Sequence, residues 1–106
     1  MNRDTFIAEV KDVELTRYNA LIDKGHDYAT DDVLSNFKRM SKLCELLNIN
    51  PARSPADSAR FLMMLKVDRW CNLVGSGKKP KNESVKDTVI DLHNYLDLAY
   101  ACDLDG

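Results

Sequence analysis

The sequence predicts an all-α protein, a four-helix bundle built from a single domain. Three observations predict it. Apolar residues recur at a helical period in four separate stretches. Glycine, proline and serine punctuate the intervals between them, and no stretch shows the apolar–polar alternation of a strand. The chain has 106 residues, which suits one domain with one core and leaves little room for a second.

In the first stretch Phe6, Ile7, Val10, Val13, Tyr18 and Leu21 share a face, so the first helix is expected at about residues 4–24, with Gly25 as its stop. The polar run His26 to Asp32 reads as a connection, in which Asp31 or Asp32 can accept hydrogen bonds from the next helix's amides. Val33, Phe37, Met40, Cys44 and Leu47 line the second helix, about 32–48, which Asn48 to Pro51 ends. Ser54-Pro55-Ala56-Asp57 then combines a capping serine, a proline at the first helical position and an aspartate that completes a capping box. The third helix, about 55–74, is apolar on nearly every side, from Phe61 and Leu62 to Trp70 and Leu73. Such a helix belongs in the middle of a bundle or at a subunit interface. Gly75 can end it, and the linker Ser76 to Lys81 has no periodicity and is expected to be mobile. Asn82 or Ser84 starts the fourth helix, about 83–101.

Composition narrows the function classes. Fifteen basic and 17 acidic residues give a formal charge of −2, which argues against general nucleic-acid binding while leaving a small nucleotide possible. The longest apolar run, Phe61 to Leu65, is far too short to span a bilayer, and Asp4, Glu9 and Asp12 exclude a signal peptide. Cys44, Cys71 and Cys102 are widely spaced, form no CxxC pair and each fall in a helical pattern, so they read as reduced core thiols in a cytoplasmic protein. His26 and His93 are too isolated to suggest zinc, and no glycine-rich phosphate loop is present.

The polar residues of the helices carry the chemistry. Glu83, Asp87, Asp91 and Asn94, spaced by four, four and three, fall within an arc of roughly 80° at about 100° per residue. Carboxylates at i,i+4 repel, so a partly covered row asks for a cation, either Mg²⁺ or lysine and arginine from a neighbouring helix. Glu83 and Asp87 also suit the helix dipole and capping. Lys66 and Arg69, with Asp68 and Asn72 close by, interrupt an otherwise apolar helix. They either pair with the acidic row or hold an anion, Arg69 by its planar fork and Lys66 as a point charge. Lys24-Gly25-His26-Asp27-Tyr28 either presents Tyr28 for stacking on a base or joins two helices with Tyr28 tucked into the core, and Lys78, Lys79 and Lys81 read as a solvated basic loop ahead of one that closes over phosphates.

Taken in order, Lys24-Gly-His-Asp-Tyr28, Asn36-Phe37, Leu65-Lys66-x-x-Arg69 with Asn72-Leu73, and Asn82-Glu83-Ser84-Val85-x-Asp87-x-x-x-Asp91-Leu92-x-Asn94-Tyr95 resemble the small nucleotide-modification-associated domains of phages and prophages. Those domains are placed near the MazG-like all-α nucleoside triphosphate pyrophosphohydrolases, which cleave between the α and β phosphates. The resemblance covers roughly residues 20–100. It implies a MazG-like bundle, a dimer or tetramer encoded by a phage or prophage and working in the host cytoplasm, with Mg²⁺ between acidic helices. Glu83, Asp87 and Asp91 would be the metal-binding and catalytic set, while Lys24, Tyr28, Lys66, Arg69, Asn72 and Asn94 would contact the nucleotide. The usual first acidic motif, ExxE, is absent: none of the four glutamates (Glu9, Glu14, Glu45, Glu83) forms it. Asp68 or another acid substitutes, or the metal site is reduced, or catalysis is lost. The alternative is a non-catalytic module that binds a nucleotide or another protein.

Overall fold

The computed structural model describes residues 1–28, 32–80 and 84–106. Among them are four α-helices and no strand: α1 (Arg3–Tyr28), α2 (Ser35–Leu47), α3 (Pro55–Ser76) and α4 (Val85–Asp105). The all-α class expected from the periodicity is what the chain adopts. α3 is central, packing most extensively on α4 and also on α2 and α1. A helix apolar on nearly every side can satisfy its surface only by meeting neighbours in several directions.

The helix starts follow local chemistry. At α3 the Ser54 hydroxyl accepts from the Asp57 amide at 3.1 Å, with Pro55 in the first turn. The Asp57 carboxylate does not close the expected capping box. It accepts from the Asn50 amide and from the Arg53 and Arg60 guanidinium groups. The Asn50 amide above all, helped by the two arginines, holds the Asp57 carboxyl below the usual carboxylate range. The full reciprocal box lies at α4. Ser84 Oγ accepts from the Asp87 amide at 3.1 Å, and Asp87 Oδ2 accepts from the Ser84 amide at 3.1 Å.

The boundaries depart from expectation in four places. α1 does not stop at Gly25 but runs on to Tyr28, because partners on other elements hold its last turn. α2 begins at Ser35 rather than near residue 32. Asp32 instead makes the preceding turn, its carboxylate accepting from the Leu34 amide at 2.9 Å and its carbonyl from the Ser35 amide at 3.0 Å. α3 passes through Gly75 and ends at Gly77, whose φ of 70° is the left-handed conformation that closes a helix. α4 extends to Asp105. Asp31, Lys81 and Asn82, which carried expectations of capping or linking, lie outside the described residues.

Two further expectations change. Cys71 is exposed and not a core thiol, while Cys44 and Cys102 are half-buried; all three are free. No helix among the described residues is long and apolar enough to cross a membrane. Among those residues the well-covered hydrophobic side chains are Met40, Ala56, Leu73 and Ala99. The buried polar ones are Asp27, Asn36, Asp57, Asp68, Arg69 and Thr88.

Candidate functional site: a cleft at the C-terminal end of α1

Arg69 is the centre of the site. It projects from mid-α3 into full burial, where its guanidinium donates to Asp27 Oδ2 at 2.8 Å and to the hydroxyl of Thr88. A buried guanidinium needs a buried carboxylate, and Asp27 is fully buried as well. The Tyr28 ring lies 5.9 Å from the guanidinium carbon, within range of a cation–π contact. Three elements thus converge on one side chain: the last turn of α1, the middle of α3 and the first turn of α4.

The same region accounts for the end of α1. The final carbonyls of a helix lack intrahelical donors. Here Asn72 Nδ2 donates to the Asp27 carbonyl at 3.0 Å, Arg39 Nη2 to that of Tyr28 at 2.8 Å and Lys78 Nζ to that of His26 at 3.4 Å. Two of the donors are cations, which also suit the negative end of the helix dipole. Arg39 is anchored in turn by Asp68, whose two oxygens lie 2.5 and 3.1 Å from Nε and Nη2. Asp68 raises the Arg39 pKa above its ordinary value and keeps it charged. His26 Nδ1 lies 3.1 Å from Asp27 Oδ1.

Beside this network opens a cleft of about 570 Å³, within the range of small-ligand sites. Leu21, Lys24, Gly25 and Tyr28 of α1 form one wall, and Leu65, Lys66 and Arg69 of α3 form another. Val33 and the first turn of α2, with Asn36 and Phe37, complete it. Four residues read from the sequence as nucleotide contacts, Lys24, Tyr28, Lys66 and Arg69, therefore meet at one cleft. Lys66 Nζ pairs with Asp91 of α4 at 3.1 Å. Asn72 stands behind the wall, on the Asp27 carbonyl, and Asn94 is exposed on α4 and does not line the cleft.

Sequence reasoning missed several members. Thr88 and Arg39 carry no motif, and Asp27, though inside the string Lys24 to Tyr28, is given no role there and stands 42 residues from the arginine it neutralises. The signal that existed was the demand of Arg69 for an acid, which names no partner. Asn36 is buried and lines the cleft, and Phe37, expected on an inward helix face, is exposed at the cleft wall.

Among the described residues of the acidic row, Asp87 and Asp91 are each engaged. Asp87 closes the capping box, and its bonds from the Ser84 hydroxyl and amide hold its carboxyl below the usual range. Asp91 faces Lys66, and Glu83 lies outside the described residues. Among the described residues no three histidine, cysteine, aspartate or glutamate side chains cluster closely enough to hold a metal ion.

No protein-family model, curated protein or solved structure matches the chain.

Proposed function

We propose that the protein binds a nucleotide phosphate in the cleft between α1, α2 and α3. The observation that carries this reading is the meeting of Tyr28 and Phe37 with Lys24 and Lys66 around one cavity. An aromatic side chain offers a stacking surface for a base, a contact typically worth about 1–3 kcal/mol. The buried Asn36 amide has both a donor and an acceptor with which to read a base edge. Lys24 and Lys66 supply point charges for phosphate oxygens. Arg69, already committed to Asp27 and Thr88, acts as a positioning residue that fixes the last turn of α1 against α3.

The resemblance adds a second reading, Mg²⁺-dependent hydrolysis of the bound nucleotide with Glu83, Asp87 and Asp91 as the acidic set. Asp91 is the observation that favours it: its carboxylate sits 3.1 Å from Lys66, so an acidic helix adjoins the cationic wall.

Thermal unfolding against a panel of nucleoside mono-, di- and triphosphates, each with and without Mg²⁺, tests both readings. A ligand at 100 times its Kd stabilises the folded state by about 2.7 kcal/mol. One nucleotide class should raise the Tm of the wild type, and Lys24→Ala with Lys66→Ala should abolish the shift. No shift with any nucleotide rejects the binding reading. For hydrolysis, Asp91→Asn should remove turnover while leaving a nucleotide-dependent Tm shift. Full turnover by that variant rejects the role of the acidic row.

A further inference from the structure

We infer that the ligand of the cleft is a nucleoside monophosphate, its single phosphate held at the N-terminal end of α2 and its nucleoside by the Asn36 side chain. The inference rests on the binding reading above and not on the hydrolytic one, because a monophosphate has no anhydride bond to cleave. Val33, Asn36 and Phe37 put the start of α2 on the cleft wall. Leu34 stands at the cap position there, and no side chain accepts from the first-turn amides. The Ser35 amide donates to the Asp32 carbonyl and the Lys38 amide to that of Leu34. The amides of Asn36 and Phe37 donate to no acceptor among the described residues. Amides of this kind carry the positive end of the helix dipole, about half a unit charge, and bind anions.

A helix terminus alone does not identify a ligand. Asn36 supplies the second, independent observation. It is only 8% exposed, it lines the cleft, and its side-chain amide makes no hydrogen bond among the described residues. A covered amide left unanswered is costly and rare in folded proteins. This one carries a donor and an acceptor side by side, the complement of a base edge that presents an acceptor beside a donor. Every common base has such an edge, so Asn36 selects a nucleoside without choosing the base.

The charges of the cleft set the number of phosphates. Lys24, Lys66 and Arg69 line it, with no acid among its described lining residues. Two of the three are engaged: Arg69 donates to the buried Asp27 carboxylate at 2.8 Å, and Lys66 Nζ lies 3.1 Å from Asp91. Lys24 has no ion-pair partner among the described residues. Asp32, just ahead of α2, is taken up by Lys38 at 2.5 Å and by the Leu34 amide, so it leaves the amides of Asn36 and Phe37 open. One uncommitted lysine, one shared lysine and a helix terminus suit a phosphate monoester, which carries about −1.5 to −2 at pH 7. Each further phosphate adds negative charge for which the described lining holds no additional cation.

Backbone amide NMR of the ¹⁵N-labelled wild type in EDTA tests this. The probes are nucleoside mono- and triphosphates of the common bases, the parent nucleosides and ribose 5-phosphate. At least one monophosphate should bind, roughly tenfold or more tighter than its nucleoside and than ribose 5-phosphate. It should move the Asn36 and Phe37 amides downfield, and further than its nucleoside does. Asn36→Leu should weaken that monophosphate roughly tenfold and leave ribose 5-phosphate unchanged. A triphosphate bound roughly tenfold tighter than its monophosphate, or binding only when Mg²⁺ replaces EDTA, overturns the inference and leaves the cleft a nucleotide site. Nucleotide binding that leaves the Asn36 and Phe37 amides unmoved does the same. Ribose 5-phosphate bound as tightly as any monophosphate also overturns it, and assigns the cleft to sugar phosphates. No binding by any nucleotide, with or without Mg²⁺, overturns this inference and the binding reading together. The wild-type titrations decide the matter should Asn36→Leu fail to fold.

Discussion

Among individual residues, Arg69 determines more of the site than any other. Its guanidinium and the Asp27 carboxylate are both removed from water and pair at 2.8 Å, so each offsets the cost of burying the other. Asp27→Ala should therefore cost about 3–5 kcal/mol in urea unfolding, because it strands a buried cation. Replacing both partners, Asp27→Leu with Arg69→Met, should cost less than the single change, since no buried charge is left behind. A single-variant cost below about 1 kcal/mol would show that water reaches the pair. At this scale the sequence was half legible. A cation in an apolar helix announces that it needs a partner, which is why Lys66 and Arg69 stood out. It does not say whether that partner is protein or ligand, and the two residues illustrate the difference: Arg69 is committed to Asp27 and Thr88, while Lys66 stands between Asp91 and the cleft.

At the level of elements, the four helices were legible from their apolar periodicity, and α3 and α4 also from their caps. Ser54 and Ser84 start α3 and α4 as the sequence suggests. The ends were less legible, because a glycine is a permissive stop and not an obligatory one. Gly25 sits inside α1 with helical backbone, and the helix continues because Asn72, Arg39 and Lys78 supply donors for its last carbonyls. Those donors come from other elements, beyond the reach of a local reading. The acidic row of α4 met the same difficulty: spacing placed Asp87 and Asp91 on one face, but the bonds to Ser84 and Lys66 depend on the cap and on α3. A methyl group added at Gly25 would meet no atom within 4 Å. Gly25→Ala should therefore stabilise the protein by about 0.5–1 kcal/mol, seen as a higher Tm, through improved helix propensity and a less flexible unfolded chain. The same methyl lies at the cleft wall, so nucleotide affinity should fall as the Tm rises. A lower Tm would mean that residue 25 has to leave the helical conformation in the native state.

For the whole molecule, polar and apolar work are divided along its length of 53 Å. Of the buried charges among the described residues, Asp27, Asp68 and Arg69 gather around the end of α1, where they position the cleft walls with directional bonds, while Asp57 stands apart at the start of α3. The apolar face of α1 has no such local use, and few hydrophobic side chains are fully covered within one chain. Conformational entropy opposes folding by about 1–2 kcal/mol per residue, so a chain that covers few large apolar side chains needs further burial to remain folded. If that burial comes from a second copy, folding and association are one equilibrium and stability depends on concentration. At about 0.7 kcal/mol per residue, unfolding of a dimer absorbs roughly 150 kcal/mol, so the Tm should rise about 3 °C for each tenfold increase in protein concentration. Differential scanning calorimetry from about 2 to 200 µM would read this directly. A double variant Val10→Glu, Val13→Glu, which puts charge on the exposed apolar face of α1, should melt below the wild type at every concentration. A wild-type Tm independent of concentration would mean that the described helices hold together alone, with the apolar face of α1 solvated in the native state.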